Sequence, residues 1–325
     1  MINTELENQI FNIADQADFT STCLAVFKFQ YENVACYREF CDLLGRTTPK
    51  SVNEIPFLPI SFFKTHKVII DNVEHKKLFK SSGTTASTRS HHYIYNLSIY
   101  ERSFFNCFEE NFGRIEEKVI LALLPNYVEQ GESSLVYMVD KLIEKTNDAR
   151  SGFYLSNNDK LLSVIETLKK ENKKIILFGV SYALLDLAEI GVDFSGVEII
   201  ETGGMKGRRK ELIKEELHEQ LKKGLNVSSI NSEYGMTELL SQAYLKKDLW
   251  FNCPPWMRIY IREINDALSF VPDQKTGGVN IIDLANLYSC SFIATDDLGK
   301  KSIDMFKILG RFDNSDVRGC NLLIN

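Results

Sequence analysis

Residues able to do chemistry gather in four short strings of the chain. The first is SSGTTAST at 81–88, held between Lys80 and Arg89. Hydroxyl and backbone donors of Ser81, Ser82, Thr84 and Thr85 can surround phosphate oxygens there, and Gly83 lets the backbone come close to an anion. Composition alone equally allows an ordinary solvent loop. The spacing departs from GxxxxGK[ST], which argues against a P-loop nucleoside triphosphatase. The second string, ETGGMKG at 201–207, follows an apolar run and leads into the basic stretch KGRRK at 206–210. Gly203 and Gly204 at the carboxyl end of a strand would let a flat base lie against bare backbone. A tight strand-to-helix turn has the same composition, and the basic stretch reads most simply as a solvated helix start.

The third string, SEYGMTE at 232–238, holds three complementary groups. Tyr234 offers a ring to stack on adenine, Thr237 a hydroxyl for a phosphate, and Glu238 a hard oxygen ligand for Mg2+. The plainer reading is an exposed turn entering a helix. The fourth, TDDLG at 295–299, is expected in a turn after a strand, where a carboxylate can accept from both ribose hydroxyls. Asp-Asp also commonly marks nothing more than a turn. His91 and His92 could meet a carboxylate or phosphate, though surface histidines are the simpler expectation.

These strings need elements to hold them. Apolar residues at three- and four-residue spacing predict helices over 5–14, 27–44, 97–112, 134–145, 160–171, 182–190 and 209–223. Continuous apolar runs predict buried strands over 118–124, 174–178 and 197–201, which suits a mostly parallel sheet covered on both faces. Residues 52–70 are Pro-punctuated and irregular, leading into a strand. Past Trp250 the texture changes to short strands over 257–263, 278–283, 291–295 and 306–309. The fold class expected is α/β, a doubly wound, mostly parallel sheet with a helical N-terminal arm and a β-rich C-terminal lobe. The divisions fall at 1–75 for the arm and entry segment, 76–245 for the core and 246–325 for the lobe.

Composition narrows the function classes. With 325 residues, 44% hydrophobic and 25% charged, the chain has an ordinary globular balance and no apolar run long enough to span a bilayer. A formal net charge of -6 argues against general nucleic-acid binding. The polar, acidic start lacks a secretory pattern, so cytoplasmic residence is expected. Seven scattered cysteines without CxxC spacing suggest neither a disulfide framework nor a zinc site.

Taken in order, residues 81–86, Gly203-Gly204, residues 234–238 and Asp297 resemble the phosphate loop, adenine-side loop, Tyr-Gly-x-Thr-Glu segment and ribose aspartate of the acyl-adenylate-forming superfamily. Within it, IPFLPISFFKTHKV, FKSSGTT, ETGGMKGR, EYGMTEL and a terminal GRFDNSDVRGC look like the acyl-protein synthetase (LuxE) family of bacterial fatty acid reductase systems, over roughly 50–320. The resemblance implies a ligase that uses Mg-ATP to make a fatty acyl-adenylate, passes the acyl group to an enzyme cysteine, and serves a partner reductase. By matching, Ser82, Thr84 and Thr85 would hold phosphates, with Ser81 and Gly83 in the same loop, and Glu238 the metal. Tyr234, beside Gly203 and Gly204, would hold the base and Asp297 the ribose, with Gly235 and Arg311 also among the nucleotide-binding candidates. Cys320 falls where the family's acyl-accepting cysteine would lie, with Arg311 or Arg318 favouring its thiolate. Thr237 and Glu238 join it as catalytic candidates.

Two departures stand out. Ala86 occupies a place where the superfamily usually has Gly, and the sequence ends just after the hinge-like 310–313, before the mobile C-terminal domain that carries a lysine for adenylation. Lys64 or Lys206 is the expected substitute at the transferring phosphate. Acyl-CoA or carrier ligation and non-catalytic nucleotide binding are the alternatives. For the acyl pocket, Phe62, Phe63, Tyr127, Phe178 and Trp256 are the aromatic candidates.

Overall fold

The structure, a computed structural model, describes residues 2–82, 89–124, 131–155, 157–203, 212–245 and 248–312. Gly83, Thr84, Thr85, Gly204, Lys206 and Cys320 lie outside the described residues, as do Tyr127 and Arg318.

Helices α1 (Thr4–Phe11), α2 (Gln16–Asn33) and α3 (Ala35–Leu43) open the chain. The single helix expected over 27–44 is corrected to two, because Val34 breaks the run with an extended backbone at φ -116° and ψ 99°. Apolar spacing continues through the break, so periodicity alone misses it. Asp71 supplies the cap, its Oδ1 accepting from Ala35 N at 3.1 Å across 36 residues of sequence, a distance no local capping rule spans. Gln30, fully buried on α2, seats the arm by donating from Nε2 to the carbonyls of Asn286 and Leu287, both at 3.0 Å.

The Pro-punctuated stretch forms β1 (Leu58–Pro59) and the single turn α4 (Phe62–Thr65). Strands β2 (Lys77–Lys80) and β3 (His91–Ile94) make a separate antiparallel hairpin. Ser81 and Ser90 close its stem: Ser81 N donates to the Ser90 carbonyl at 3.1 Å and Ser90 N to Ser81 Oγ at 2.9 Å.

Helix and strand then alternate as α5 (Leu97–Phe112), β4 (Lys118–Leu123), α6 (Ser134–Lys145), β5 (Gly152–Phe153), α7 (Asn158–Lys170), β6 (Lys174–Val180), α8 (Ser181–Ala188), β7 (Val197–Thr202), α9 (Lys214–Leu225) and β8 (Asn231–Tyr234). Val119–Leu123 of β4 and Ile175–Val180 of β6 are buried without interruption, as strands covered on both faces must be. These strands pair in parallel, in the spatial order β5, β4, β6, β7, β8.

Beyond β8 the pairing turns antiparallel through β9 (Ala243–Leu245) and β10 (Phe251–Asn252). Then come β11 (Met257–Arg262), β12 (Gly277–Asp283), β13 (Phe292–Ser302) and β14 (Met305–Arg311). β14 pairs with β10, so the strands before and after residue 245 share one sheet of 12 strands among the described residues, with β1 parallel beside β13. The α/β class expected from sequence is the one found. TDDLG is corrected from a turn to the middle of β13, where Thr295, Asp297 and Gly299 face inward and Asp296 outward. Gly299 is required there because a Cβ would come within 2.5 Å of the Lys307 carbonyl on β14. No described helix is long and apolar enough to cross a membrane.

Candidate active site

Loops diverge at the carboxyl ends of parallel strands, and ligand clefts form in the gap. β6, β7 and β8 end at Val180, Thr202 and Tyr234. There a cleft of about 680 Å³ opens, walled by Val180, Thr202, Gly203, Glu233, Gly235, Met236 and Thr237. The hairpin contributes Lys80, Ser82 and Arg89, the start of α6 contributes Glu132, Ser133, Leu135 and Met138, and Tyr100 and Gln242 complete the wall. The structure thus brings the stem of the hydroxyl-rich loop and the segment after β8 around one cavity. Gly203, at φ 70°, turns the chain out of β7 in a conformation that glycine adopts without strain. Its carbonyl accepts from Ser181 Oγ at 2.8 Å.

One end of the cleft suits an anion. Lys80 Nζ lies 2.5 Å and Arg89 Nη1 3.8 Å from the carboxylate of Glu132. Ser133 caps α6 by accepting from Val136 N at 3.4 Å, so the helix presents its positive N-terminal end beside these cations.

The turn after β8 is clamped from beneath. Ser232 to Tyr234 are strand residues and Glu238 is 6% exposed, while Gly235 to Thr237 are partly exposed and lead through a turn into β9 rather than into the helix that the plainer reading expects. Burial raises the pKa of Glu238, opposed by a hydrogen bond from Ser90 and by the charges of Arg311 and Lys64. Lys64 therefore lies within electrostatic reach of that carboxyl. His92 is fully buried, a correction to the surface reading, while His91 is half-buried. The Nδ1–H of His92 donates to the Thr237 carbonyl at 2.7 Å, and its Nε2 lies 3.0 Å from Asn286 Oδ1. Asn286 Nδ2 donates in turn to the Glu238 carbonyl at 2.8 Å. Burial pushes the His92 pKa down to about 4, against the pull of these two contacts.

Tyr234, Asp297 and Arg311 form a separate group. The Tyr234 hydroxyl donates to Asp297 Oδ2 at 2.7 Å, and Arg311 Nε to Asp297 Oδ1 at 2.9 Å. The Tyr234 ring packs on Phe251 and Phe306, with centroids 5.7 and 5.2 Å away. As neighbours on β8, Glu233 and Tyr234 project from opposite faces of the pleat, so Glu233 faces the cleft while the Tyr234 ring packs on Phe251 and Phe306.

The aromatic candidates for the acyl pocket are displaced. Phe63, Phe178 and Trp256 are buried in the core, Phe62 stacks on His66, and none of the four borders the cleft. The apolar wall is instead Tyr100, Leu135, Met138 and Val180. Sequence reading also passed over a buried polar layer under the cleft. Glu201 accepts from Ser181 Oγ at 2.5 Å, Ser232 Oγ at 2.7 Å and Lys214 Nζ at 2.7 Å. Glu233 accepts from Thr202 Oγ1 of the adjacent strand. The signal available was a Glu at an alternating position in a strand that reads as buried.

Comparison with known proteins gives the same architecture. The model of the family "Acyl-protein synthetase, LuxE" matches residues 129–325, more than half of the chain. A long-chain-fatty-acid–luciferin-component ligase of Vibrio harveyi is 24% identical over 327 residues, covering 91% of this chain and 85% of its own length. One from Aliivibrio fischeri is 24% identical, covering 84% and 76%. Among solved structures, a 2-hydroxyisobutyryl-CoA ligase superposes with a TM-score of 0.64 at 12% identity, covering 92% of this chain and 71% of that one. ATP-bound MatB from Rhodopseudomonas palustris gives 0.53 at 16% identity, covering 74% of this chain. The match spans about half of MatB, 49% of its length. With a ligase fold and a family model that covers both the cleft-lining turns after β7 and β8 and the strands beyond them, the chain belongs to the LuxE acyl-protein synthetase family and is an enzyme of the ligase class.

Proposed function

We propose that the chain activates a fatty acid with ATP and takes the acyl group onto Cys320 as a thioester, for handover to a fatty acyl reductase. The observation that carries this reading is the cleft shared by Ser82, Gly203, Gly235 and Thr237, with Lys80 and Arg89 at its anion-binding end. The substrate class and partner follow from the luciferin-component ligases that the chain resembles.

In the first half-reaction a carboxylate oxygen attacks the α-phosphorus of ATP. The new O–P bond replaces the bond to the β-phosphate bridging oxygen, and pyrophosphate leaves. Lys80, Arg89, Ser82 and the loop residues Ser81, Gly83, Thr84 and Thr85 neutralise and orient the phosphates, and Thr237 adds a hydroxyl. Lys64 or Lys206 places a cation at the transferring phosphate. Gly203, Gly204, Tyr234 and Gly235 form the base side, and Asp297 with Arg311 the ribose side. In the second half-reaction the Cys320 sulfur attacks the acyl carbon, the C–S bond forms, the C–O bond to AMP breaks, and the thiol proton goes to solvent.

Glu238 fits a magnesium ion, since one carboxylate with substrate phosphates and water is an ordinary Mg2+ set. Among the described residues no group of three or more His, Cys, Asp or Glu offers a fuller cage. The ion would supply positive charge at the phosphates.

Labelled long-chain fatty acid, ATP and Mg2+ should leave a hydroxylamine-labile label on the wild type and none on Cys320→Ser. Carboxylate-dependent exchange of pyrophosphate into ATP should persist in that variant. Absence of exchange with any carboxylic acid overturns the adenylation reading, and full labelling of Cys320→Ser overturns the acceptor.

A further inference from the structure

Polar side chains behind β7 converge on one carboxylate that the adenylation chemistry does not use. Glu201 has no exposed surface. Strand alternation turns its neighbour Thr202 toward the cleft wall and Glu201 toward α8 and α9. Three donors meet its two oxygens: Ser181 Oγ lies 2.5 Å from Oε1, and Ser232 Oγ and Lys214 Nζ each lie 2.7 Å from Oε2. Ser232 is held in turn by His218 of α9, whose Nε2 is 2.8 Å from the same hydroxyl.

A buried ion pair is costly, and well-packed apolar residues commonly serve a core as well or better, so stability does not account for this one. What the carboxylate connects is the turn out of β7. Ser181 Oγ also lies 2.8 Å from the Gly203 carbonyl, so one hydroxyl joins Glu201 to the residue that carries the chain into the cleft wall. Gly203 sits at φ 70° and has no side chain to anchor it, so this carbonyl contact sets where its backbone lies. Lys214, the first residue of α9, ties the far side of the connection to the same carboxylate. Glu201 therefore holds both ends of the link between β7 and α9.

We infer that Glu201, with Lys214 and Ser181, is a positioning residue that fixes the Gly203 backbone where the nucleotide base lies. The inference rests on the adenylation reading above, in which Gly203 flanks the base, and adds the groups that hold it there. None of the three lines the cleft, so they act on base recognition through Gly203 and leave the chemistry at phosphorus alone.

Pyrophosphate exchange with ATP and with GTP, each with a long-chain fatty acid, tests it. Wild type should favour ATP over GTP by roughly tenfold or more in kcat/KM, as a site that hydrogen-bonds one base should. The paired variant Glu201→Gln/Lys214→Met leaves no buried charge uncompensated. It and Ser181→Ala should raise the KM for ATP by roughly tenfold with kcat within about twofold, and narrow the ATP-to-GTP ratio by a similar factor. Lys214→Arg, which keeps the cation beside Glu201, should stay close to wild type. Should the paired variant fail to fold, Ser181→Ala alone decides, because it changes one hydroxyl and no charge. Urea midpoints are read alongside: a carboxylate that serves only stability lowers the midpoint and leaves the KM and the nucleotide preference of the folded enzyme unchanged. That outcome, a loss confined to kcat, or a wild type indifferent to the base overturns the inference while leaving adenylation intact. No exchange by wild type with any carboxylic acid overturns both.

Discussion

Asn286→Leu probes the clamp that holds the Thr237–Glu238 turn. Asn286 is fully buried and joins three segments: its backbone carbonyl accepts from Gln30, its Nδ2 donates to the Glu238 carbonyl, and its Oδ1 faces His92 Nε2. Leucine has a similar volume, so packing changes little, but the Glu238 carbonyl loses its partner away from water. A buried polar group left without a partner costs roughly 1–3 kcal/mol. With a urea m-value of about 3 kcal/mol per molar, the unfolding midpoint should fall by roughly 0.3–1 M. Pyrophosphate exchange should fall as well, since Thr237 and Glu238 are then held by fewer contacts. His92→Leu should give a similar loss, and the double variant less than the sum of the two, as expected for groups in one network. A midpoint within about 0.2 M of wild type, or strict additivity in the double variant, would refute the clamp.

Glu233 predicts a pH dependence. Burial, and secondarily Glu201, lift its pKa from 4.5 to about 7, against the Thr202 hydrogen bond. A carboxyl with a raised folded-state pKa favours the fold below its unfolded value and loses that contribution as pH rises to the folded value. Relative to wild type, Glu233→Gln should therefore gain about 3 kcal/mol between pH 4.5 and 7 and stay level above it, read from urea unfolding across pH; a flat difference refutes the assignment. Asp297→Asn removes the charge that Arg311 and the Tyr234 hydroxyl both meet, and the KM for ATP in pyrophosphate exchange should rise about tenfold or more. An unchanged KM would remove this group from the nucleotide site. Glu132→Gln frees Lys80 and Arg89 from an exposed ion pair, and the KM for ATP should fall by up to about fivefold, the range that surface pairs allow. A rise in KM would mean that Glu132 itself assists binding.

The sequence by itself determined the elements that depend on local periodicity. Helices α5 and α6, and the buried strands β4, β6 and β7, follow from apolar spacing within single segments, and their order is enough to give an α/β sheet with ligand-bearing loops at its carboxyl edge. The candidate strings were legible for the same reason, since SSGTT and EYGMTE carry their donors within a few residues. Tertiary structure alone decided what depends on contacts distant in sequence. Asp71 caps the start of α3, Asn286 and His92 fix the turn that bears Glu238, and β14 turns Asp297 from a loop residue into a strand residue facing Tyr234. Glu233 is the sharpest case: its one-letter context reads as an ordinary polar position, and only the approach of Thr202 on one side and bare Gly235 on the other makes its carboxyl part of the cleft. Hydrogen bonds act over about 3 Å in space and have no fixed range along the chain, so partners 30 to 200 residues apart leave no periodic trace for a sequence to display.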